Sequence, residues 1–171
     1  MISTRYILLF LLLSPLNLIA QNANVYFDQG YEFYDIGEYR KAINSYSNAI
    51  LLDKNNPEYY YHRGVCYSMI SENDNAISDL TKAIEIDSGY AEAYFERAFS
   101  LYNIMKVEEA IADYGSAIKL NPEYAPAYLN RGSIKFDLDD MDGACYDWKK
   151  AYNLGIGVAN ELVLEYCKSK S

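Results

Sequence analysis

From Ala23 to Val158 the apolar and polar positions recur every 34 residues, with no insertion or deletion. Ala42, Ala76, Ala110 and Ala144 hold one phase, and Ala49, Ala83, Ala117 and Ala151 another. Tyr26, Tyr60, Tyr94 and Tyr128 mark a third, and Gly30, Gly64, Ala98 and Gly132 a fourth. Inside each unit the apolar residues follow helical spacing twice. In the second unit Tyr59 to Met69 carries the first run, Ser71 to Asp74 interrupts it, and Ala76 to Ile86 resumes it. Asp53 to Pro57, Asp87 to Gly89, Asn121-Pro122 and Gly155 to Gly157 then act as helix stop and restart signals. A fixed period of this size means one helix-turn-helix unit stacked against copies of itself, because a single unit cannot bury its own apolar face. The expected units are 23–56, 57–90, 91–124 and 125–158.

A terminal repeat needs a polar outer face. Residues 159–171 are expected to supply it as a capping helix and tail, with Leu162, Val163 and Tyr166 towards the fourth unit and Glu161, Glu165 and Lys168 towards water. The small residues at 30, 64, 98 and 132 should let the first helix of a unit approach the second, whose alanines at 42, 76, 110 and 144 offer no bulk in return. A helical glycine costs about 1 kcal/mol relative to alanine, so its recurrence points to compensating close packing.

These phases resemble the tetratricopeptide repeat. Its pattern is carried here by Tyr60, Arg63-Gly64, Tyr67, Ala76, Leu80 and Ala83, and again by Tyr94, Arg97-Ala98, Leu101, Ala110, Tyr114, Ala117 and Pro122. The resemblance covers residues 23–158. It implies an all-α solenoid, a right-handed superhelix of paired antiparallel helices with a concave inner surface. Lys54, Ser88 and Ile156 replace the family's loop proline, and Lys135 replaces an apolar residue, so the last unit is expected to be the least regular, with Phe136 covering for it. Ile43, Ile77, Ile111 and Cys145 share a phase that should meet the next unit, which for Cys145 is the capping helix.

One correlation is internal to the chain. Arg63, Arg97 and Arg131 occur in units that hold Asp79, Asp113 and Asp147 sixteen residues on, while the first unit has Gln29 and Ser45 at both places. An ion pair joining the two helices of each unit is the expectation; as an exposed pair it would contribute under about 1 kcal/mol.

Composition changes the picture at the N-terminus. Residues 1–20 hold one charge, Arg5, followed by the apolar run Tyr6 to Leu13 and then Leu18-Ile19-Ala20. That is the pattern of a secretory signal peptide, with an uncleaved N-terminal anchor as the rival because Leu18 sits where a small residue is preferred. The run is too short for a first choice of spanning helix, which needs about 20 apolar residues. An exported bacterial chain, periplasmic or extracellular, is therefore expected, with membrane contact only if the signal stays attached. The full chain carries a net charge of −9. Such a balance disfavours nucleic acid, which demands a basic footprint.

Three cysteines bear on redox state: Cys66, Cys145 and Cys167. Cys145 and Cys167 lie equally far from Ile156, so flanking antiparallel helices would bring them level; a disulfide and two free thiols both remain open. Cys66, among apolar neighbours, is expected to be a buried small hydrophobe.

Little in the chain points to catalysis. His62 is the single histidine, which leaves no histidine-based metal cluster and no duplicated acid–base pair. Its spacing of four from Cys66 allows a Cys–His nucleophile pair to be imagined, but a groove-lining histidine is the simpler expectation. Gly155-Ile156-Gly157 lacks a preceding strand and a third glycine, so it reads as a helix connection. Asp137, Asp139, Asp140 and Asp142 miss the spacing of a calcium loop and read as a solvated turn. No enzyme activity, cofactor, metal or small-molecule substrate is expected.

That leaves the inner surface. The resemblance assigns its lining chiefly to the first helices, at Phe27, Tyr31, Tyr34, Tyr61, His62, Phe95, Glu96, Phe99 and Tyr102. The repeat does not require these aromatics, and exposed aromatics are common interface anchors. Tyr26, Tyr46, Tyr60, Tyr67, Tyr94, Tyr114 and Tyr128 occupy packing phases instead. The family's clamp for acidic chaperone tails is missing, since its phases hold Phe27, Tyr31, His62, Glu92 and Glu96. The expected partner is a protein or peptide, bound as an apolar or basic segment in an aromatic, acid-flanked groove. The alternative is a structural or assembly component of a bacterial envelope complex, working through its convex face or helix ends.

Overall fold

The computed structural model describes residues 15–167, with side chains from Asn22 onwards. Among these the chain forms helices and turns and no strand: α1 (Pro15–Asp35), α2 (Tyr39–Leu52), α3 (Pro57–Met69), α4 (Asn73–Ile86), α5 (Ala91–Asn103), α6 (Val107–Leu120), α7 (Ala125–Asp137), α8 (Met141–Asn153) and α9 (Gly157–Tyr166). Each helix packs on its neighbours in sequence order, most closely within a unit, and α3 also touches α5. This is the expected all-α superhelix. Helix α1 begins eight residues ahead of the repeat boundary at Ala23, so its backbone runs through the expected signal cleavage point. The rest of the signal segment, residues 1–14, lies outside the described residues, as does Lys168.

Every turn between the two helices of a unit has one geometry. Gly37, Ser71, Met105 and Asp139, spaced by the repeat, adopt left-handed backbone with φ of 77°, 61°, 64° and 60°. In the first, Gly37 N–H donates to the Tyr34 carbonyl and Glu38 N–H to that of Phe33, both at 2.9 Å; Asp139 to Phe136 and Asp140 to Lys135 repeat it. This is the Schellman closure, which satisfies carbonyls that a helix end leaves without partners. In the acidic turn, Asp140 then caps α8 by accepting from Gly143 N–H at 3.0 Å. Asn56 caps α3, ahead of Pro57 at its first position.

All eight repeated alanines are fully buried, and so are the bulky residues of a further phase, Tyr46, Leu80, Tyr114 and Trp148. The bulky set corrects the expectation about small residues. A Cβ on Gly30 would lie 2.5 Å from the Tyr46 ring, one on Gly64 2.9 Å from Leu80 Cγ, and one on Gly132 2.8 Å from Trp148 Cδ1. The glycines make room for these large side chains, and at Gly64 the backbone of the repeated alanine is approached as well, a Cβ there lying 3.3 Å from the Ala76 carbonyl oxygen. Tyr60 and Tyr128 are buried as expected, but Tyr26 is exposed. Its phase packs against the preceding unit in the later repeats, and no helix pair precedes α1 among the described residues.

The ion pairs form, and they are more buried than expected. Arg63 Nε and Nη2 donate to Asp79 at 2.7 and 2.8 Å, and Arg97 does the same to Asp113. Arg131 donates to Asp147 at 2.9 and 2.7 Å. The aspartates are buried, so removing one partner leaves an uncompensated charge at a cost of about 3–5 kcal/mol, not the small value of a surface pair. Two of the guanidiniums also reach back to the preceding unit: Arg63 Nη1 donates to Ser47 Oγ at 2.9 Å and Arg97 Nη1 to Thr81 Oγ1 at 3.0 Å. In the first unit Ser45 donates to Gln29 Oε1 at 3.4 Å, a neutral version of the same link.

The C-terminal end is closed twice over. Cys145 and Cys167 are bonded, with their Cα atoms 5.6 Å apart, a cross-link over a loop of this size being worth about 3 kcal/mol. The Tyr166 ring of α9 packs at a tilt against Phe136 with centroids 4.7 Å apart, and Phe136 against Trp148 at 5.4 Å. Phe136, expected to cover for Lys135, packs between Trp148 and the cap residue Tyr166, while Lys135 turns to the buried Asp147 at 2.8 Å. Cys66 is fully buried.

Candidate functional site

The odd-numbered helices carry the candidate groove residues, and the structure divides them into three groups. Between the first two units the His62 ring sits among Phe27, Tyr31, Tyr46 and Tyr61, with centroids 5.2, 5.8, 5.7 and 5.0 Å away. Phe27 also packs on Tyr59 at 5.2 Å, so this phenylalanine is an inter-repeat wedge. Tyr34 lies beside Tyr31 and Tyr39, at 6.4 and 5.7 Å. Burial pushes the His62 imidazole down to about 4, which keeps it neutral at physiological pH. The same burial pushes the Cys66 thiol up to about 12. A thiolate nucleophile is therefore disfavoured where the imagined Cys–His pair would need one.

In the second group each aromatic leans on a partner that the repeat pattern alone did not mark for the groove. Tyr61 pairs with Tyr90 at 4.8 Å, and Phe95 with Tyr124 at 5.0 Å and Tyr114 at 5.5 Å. Tyr90 and Tyr124 precede α5 and α7 by one residue and sit one repeat apart. That shared phase was the available signal for them.

The third group remains open. Tyr31 is 47% exposed and Phe99 42%. Phe99, Tyr102, Tyr114, Asn130, Ser133 and Ile134 line a hollow of about 140 Å³ between α5 and α7. Its rim is fixed by polar contacts: Tyr102 Oη donates to Asp137 at 2.8 Å, and Asn130 Nδ2 to Tyr114 Oη at 3.2 Å. A broader depression lies at the open end of the first unit, lined by Val25, Tyr26 and Leu52 among others. It occupies the place where a preceding repeat would stack.

Glu96 lies on α5 one turn ahead of Phe99, is half-buried, and acts on Tyr114 of this hollow. Burial pushes its carboxyl up to about 7; burial first, and its charge second, disfavour the phenolates of Tyr61, Tyr114 and Tyr124. Among the described residues no donor or cation pairs with it, whereas Arg63, Arg97, Arg131 and Lys135 all pair with aspartates. No grouping of three or more metal-binding side chains occurs among the described residues, and no described helix is long and apolar enough to cross a membrane.

Comparison with known proteins places this geometry. A family model described as TPR repeat matches residues 30–70 and 106–139, and one described as tetratricopeptide repeat matches residues 57–90. No curated protein matches the chain. Among solved structures, MamA superposes with a TM-score of 0.75 at 28% identity, covering 85% of this chain and 82% of its own. The first TPR of Spaghetti (RPAP3), bound to the HSP90 peptide SRMEEVD, gives 0.69 at 28% identity, over 70% and 95%. The TPR domain of Arabidopsis OM64 gives 0.69 at 27% identity, over 70% and 98%.

Proposed function

The chain belongs to the tetratricopeptide repeat family, and from that premise we propose that it is an exported, non-catalytic module that binds an extended or helical protein segment in its concave groove. The observation that carries this is the open aromatic surface of the third group: Tyr31 and Phe99 are exposed, and Phe99 borders a hollow whose rim is held by hydrogen bonds. Phe99 makes none of the ring contacts described above, and Tyr31, although one edge meets His62, leaves about half of its surface to solvent. A related domain holds a peptide, the HSP90 sequence SRMEEVD. In this chain that acidic ligand class is a poor match, because Glu92 and Glu96 stand where the family's clamp places basic groups. Export is supported by the Arg5–Leu13 pattern and by the Cys145–Cys167 bridge, which persists in oxidising compartments.

A second proposal has its own observation. Tyr146, Tyr152, Leu154, Val158 and Leu164 are exposed on α8, α9 and their connection, which suits an envelope-assembly component that docks through its C-terminal end. Photo-crosslinking separates the two. A benzoylphenylalanine at position 99 should trap the partner in cells if the groove is used, and one at position 146 should not. The reverse pattern would favour the C-terminal surface. Phe99→Ala with Tyr31→Ala is the matching loss-of-binding variant, since Tyr61 and Phe95 are committed to ring packing and would report on folding as well.

A further inference from the structure

The charge of the inner surface is one-sided for a structural reason. Helices α1, α3, α5 and α7 contain four basic residues, Arg63, Arg97, Arg131 and Lys135. All four are drawn into ion pairs with Asp79, Asp113 and Asp147 of the second helices. The same odd helices keep Asp28, Glu58, Glu92 and Glu96 without a counter-charge among the described residues. Glu96 differs from the other three because it is half-buried. A carboxylate withdrawn from water with no partner raises the free energy of the folded chain, and a cation brought to it would interact more strongly there than at a wet surface. The hydroxyls of Tyr61, Tyr114 and Tyr124 lie near enough to feel its charge. Their ring faces carry negative potential, which attracts ammonium and guanidinium groups and repels anions.

We infer that the segment bound in the groove carries a lysine or arginine side chain, whose cation seats on the Glu96 carboxylate among Tyr61, Tyr114 and Tyr124, while a nearby apolar side chain enters the hollow between α5 and α7. This deepens the groove proposal and rests on it. Tyr114 joins the two subsites, because it borders the hollow and also neighbours Glu96. An acidic segment would face repulsion at the same place. A wholly apolar one would bury Glu96 further and leave it uncompensated.

The test uses a random-peptide phage library selected on the full chain, followed by titration of individual labelled peptides. Selected peptides should carry Lys or Arg within a few residues of an apolar side chain. Glu96→Gln should weaken them about tenfold or more, the loss expected on removing one partner of a desolvated ion pair. Norleucine in place of the peptide's basic residue should cost the same factor on the native chain and nothing further on Glu96→Gln. The variant removes an uncompensated, half-buried charge, so its circular-dichroism melt should be undiminished. Peptides that lose affinity on Phe99→Ala but keep it on Glu96→Gln overturn the cation inference and leave the groove in place. Peptides indifferent to both substitutions overturn the groove itself.

Discussion

The Arg131 guanidinium passes Gly115 at the point where Arg63 and Arg97 each meet a hydroxyl of the preceding repeat. A Cβ on Gly115 would lie 3.5 Å from Arg131 Nη1, an ordinary contact, whereas Ser47 and Thr81 accept hydrogen bonds there. Gly115→Ser should therefore restore the missing inter-repeat link and remove a helical glycine, gaining about 1 kcal/mol. A thermal melt measures it. Combining the change with Arg131→Lys should erase most of the gain, and a gain that survives would mean helix propensity alone is responsible.

Met105 holds left-handed backbone at φ 64° while its side chain is 78% exposed. Glycine takes that conformation without steric cost, so Met105→Gly should stabilise the protein by about 1 kcal/mol, as seen when strain at such positions is relieved. Gly37→Ala should lose a similar amount, since its Cβ would touch nothing and only the backbone conformation opposes it. Denaturant midpoints for the two variants should move in opposite directions.

The first unit shows what can replace the Arg–Asp pair. Arg63→Gln or Asp79→Ser alone leaves a buried or half-buried partner unpaired and should cost about 3 kcal/mol. Together they install the Gln–Ser link of residues 29 and 45, and the double variant should be more stable than the sum of the singles. Simple additivity in a double-mutant cycle would refute the pairing as the source of the loss.

Glu96 and His62 tie stability to pH with opposite signs. The Glu96 carboxyl is raised from 4.5 to about 7, so its contribution is present below 4.5 and lost as pH rises through 7. The His62 imidazole is lowered from 6.5 to about 4, so its contribution is present above 6.5 and lost as pH falls through 4. The Glu96 charge acts on Tyr34, Tyr61, Tyr114 and Tyr124, and the His62 ring meets Tyr31, Tyr46 and Tyr61. Burial raises the phenols of Tyr34, Tyr46, Tyr61, Tyr114 and Tyr124, which therefore stay protonated throughout the window. Glu96→Gln should gain on the native protein by about 2 kcal/mol between pH 5 and 8, after allowance for partial solvent screening. His62→Gln should gain on it by a similar amount on going from pH 7 to 4. Urea titrations across that range would expose any reversal of sign.

The period of 34 made the helix pairs, their order and their buried alanines legible before any coordinates, because a repeated apolar phase has to meet the same neighbour in every unit. The arginine–aspartate link was legible for a related reason: the first unit lacks both members, so the repeats served as their own comparison. The left-handed turns were not legible. Gly37 marks the phase, but serine, methionine and aspartate hold it afterwards, and the hydrogen-bonded closure of the turn imposes a conformation that these residues do not prefer.

The candidate groove divides along the same line. Sequence alone determined which aromatics the repeat does not need, since period and phase are properties of the chain. Only the tertiary structure decided which of them are spent. Ring packing across the unit boundary claims Phe27, Tyr61 and Phe95, the partners being Tyr59, Tyr90 and Tyr124 from other helices or the turns that join them. Stacking likewise decided that Cys145 meets Cys167 and that Glu96 stands half-buried without a counter-charge among the described residues. Burial depends on what the neighbouring unit brings to a side chain, and that is fixed by the superhelix rather than by the spacing of residues along the chain.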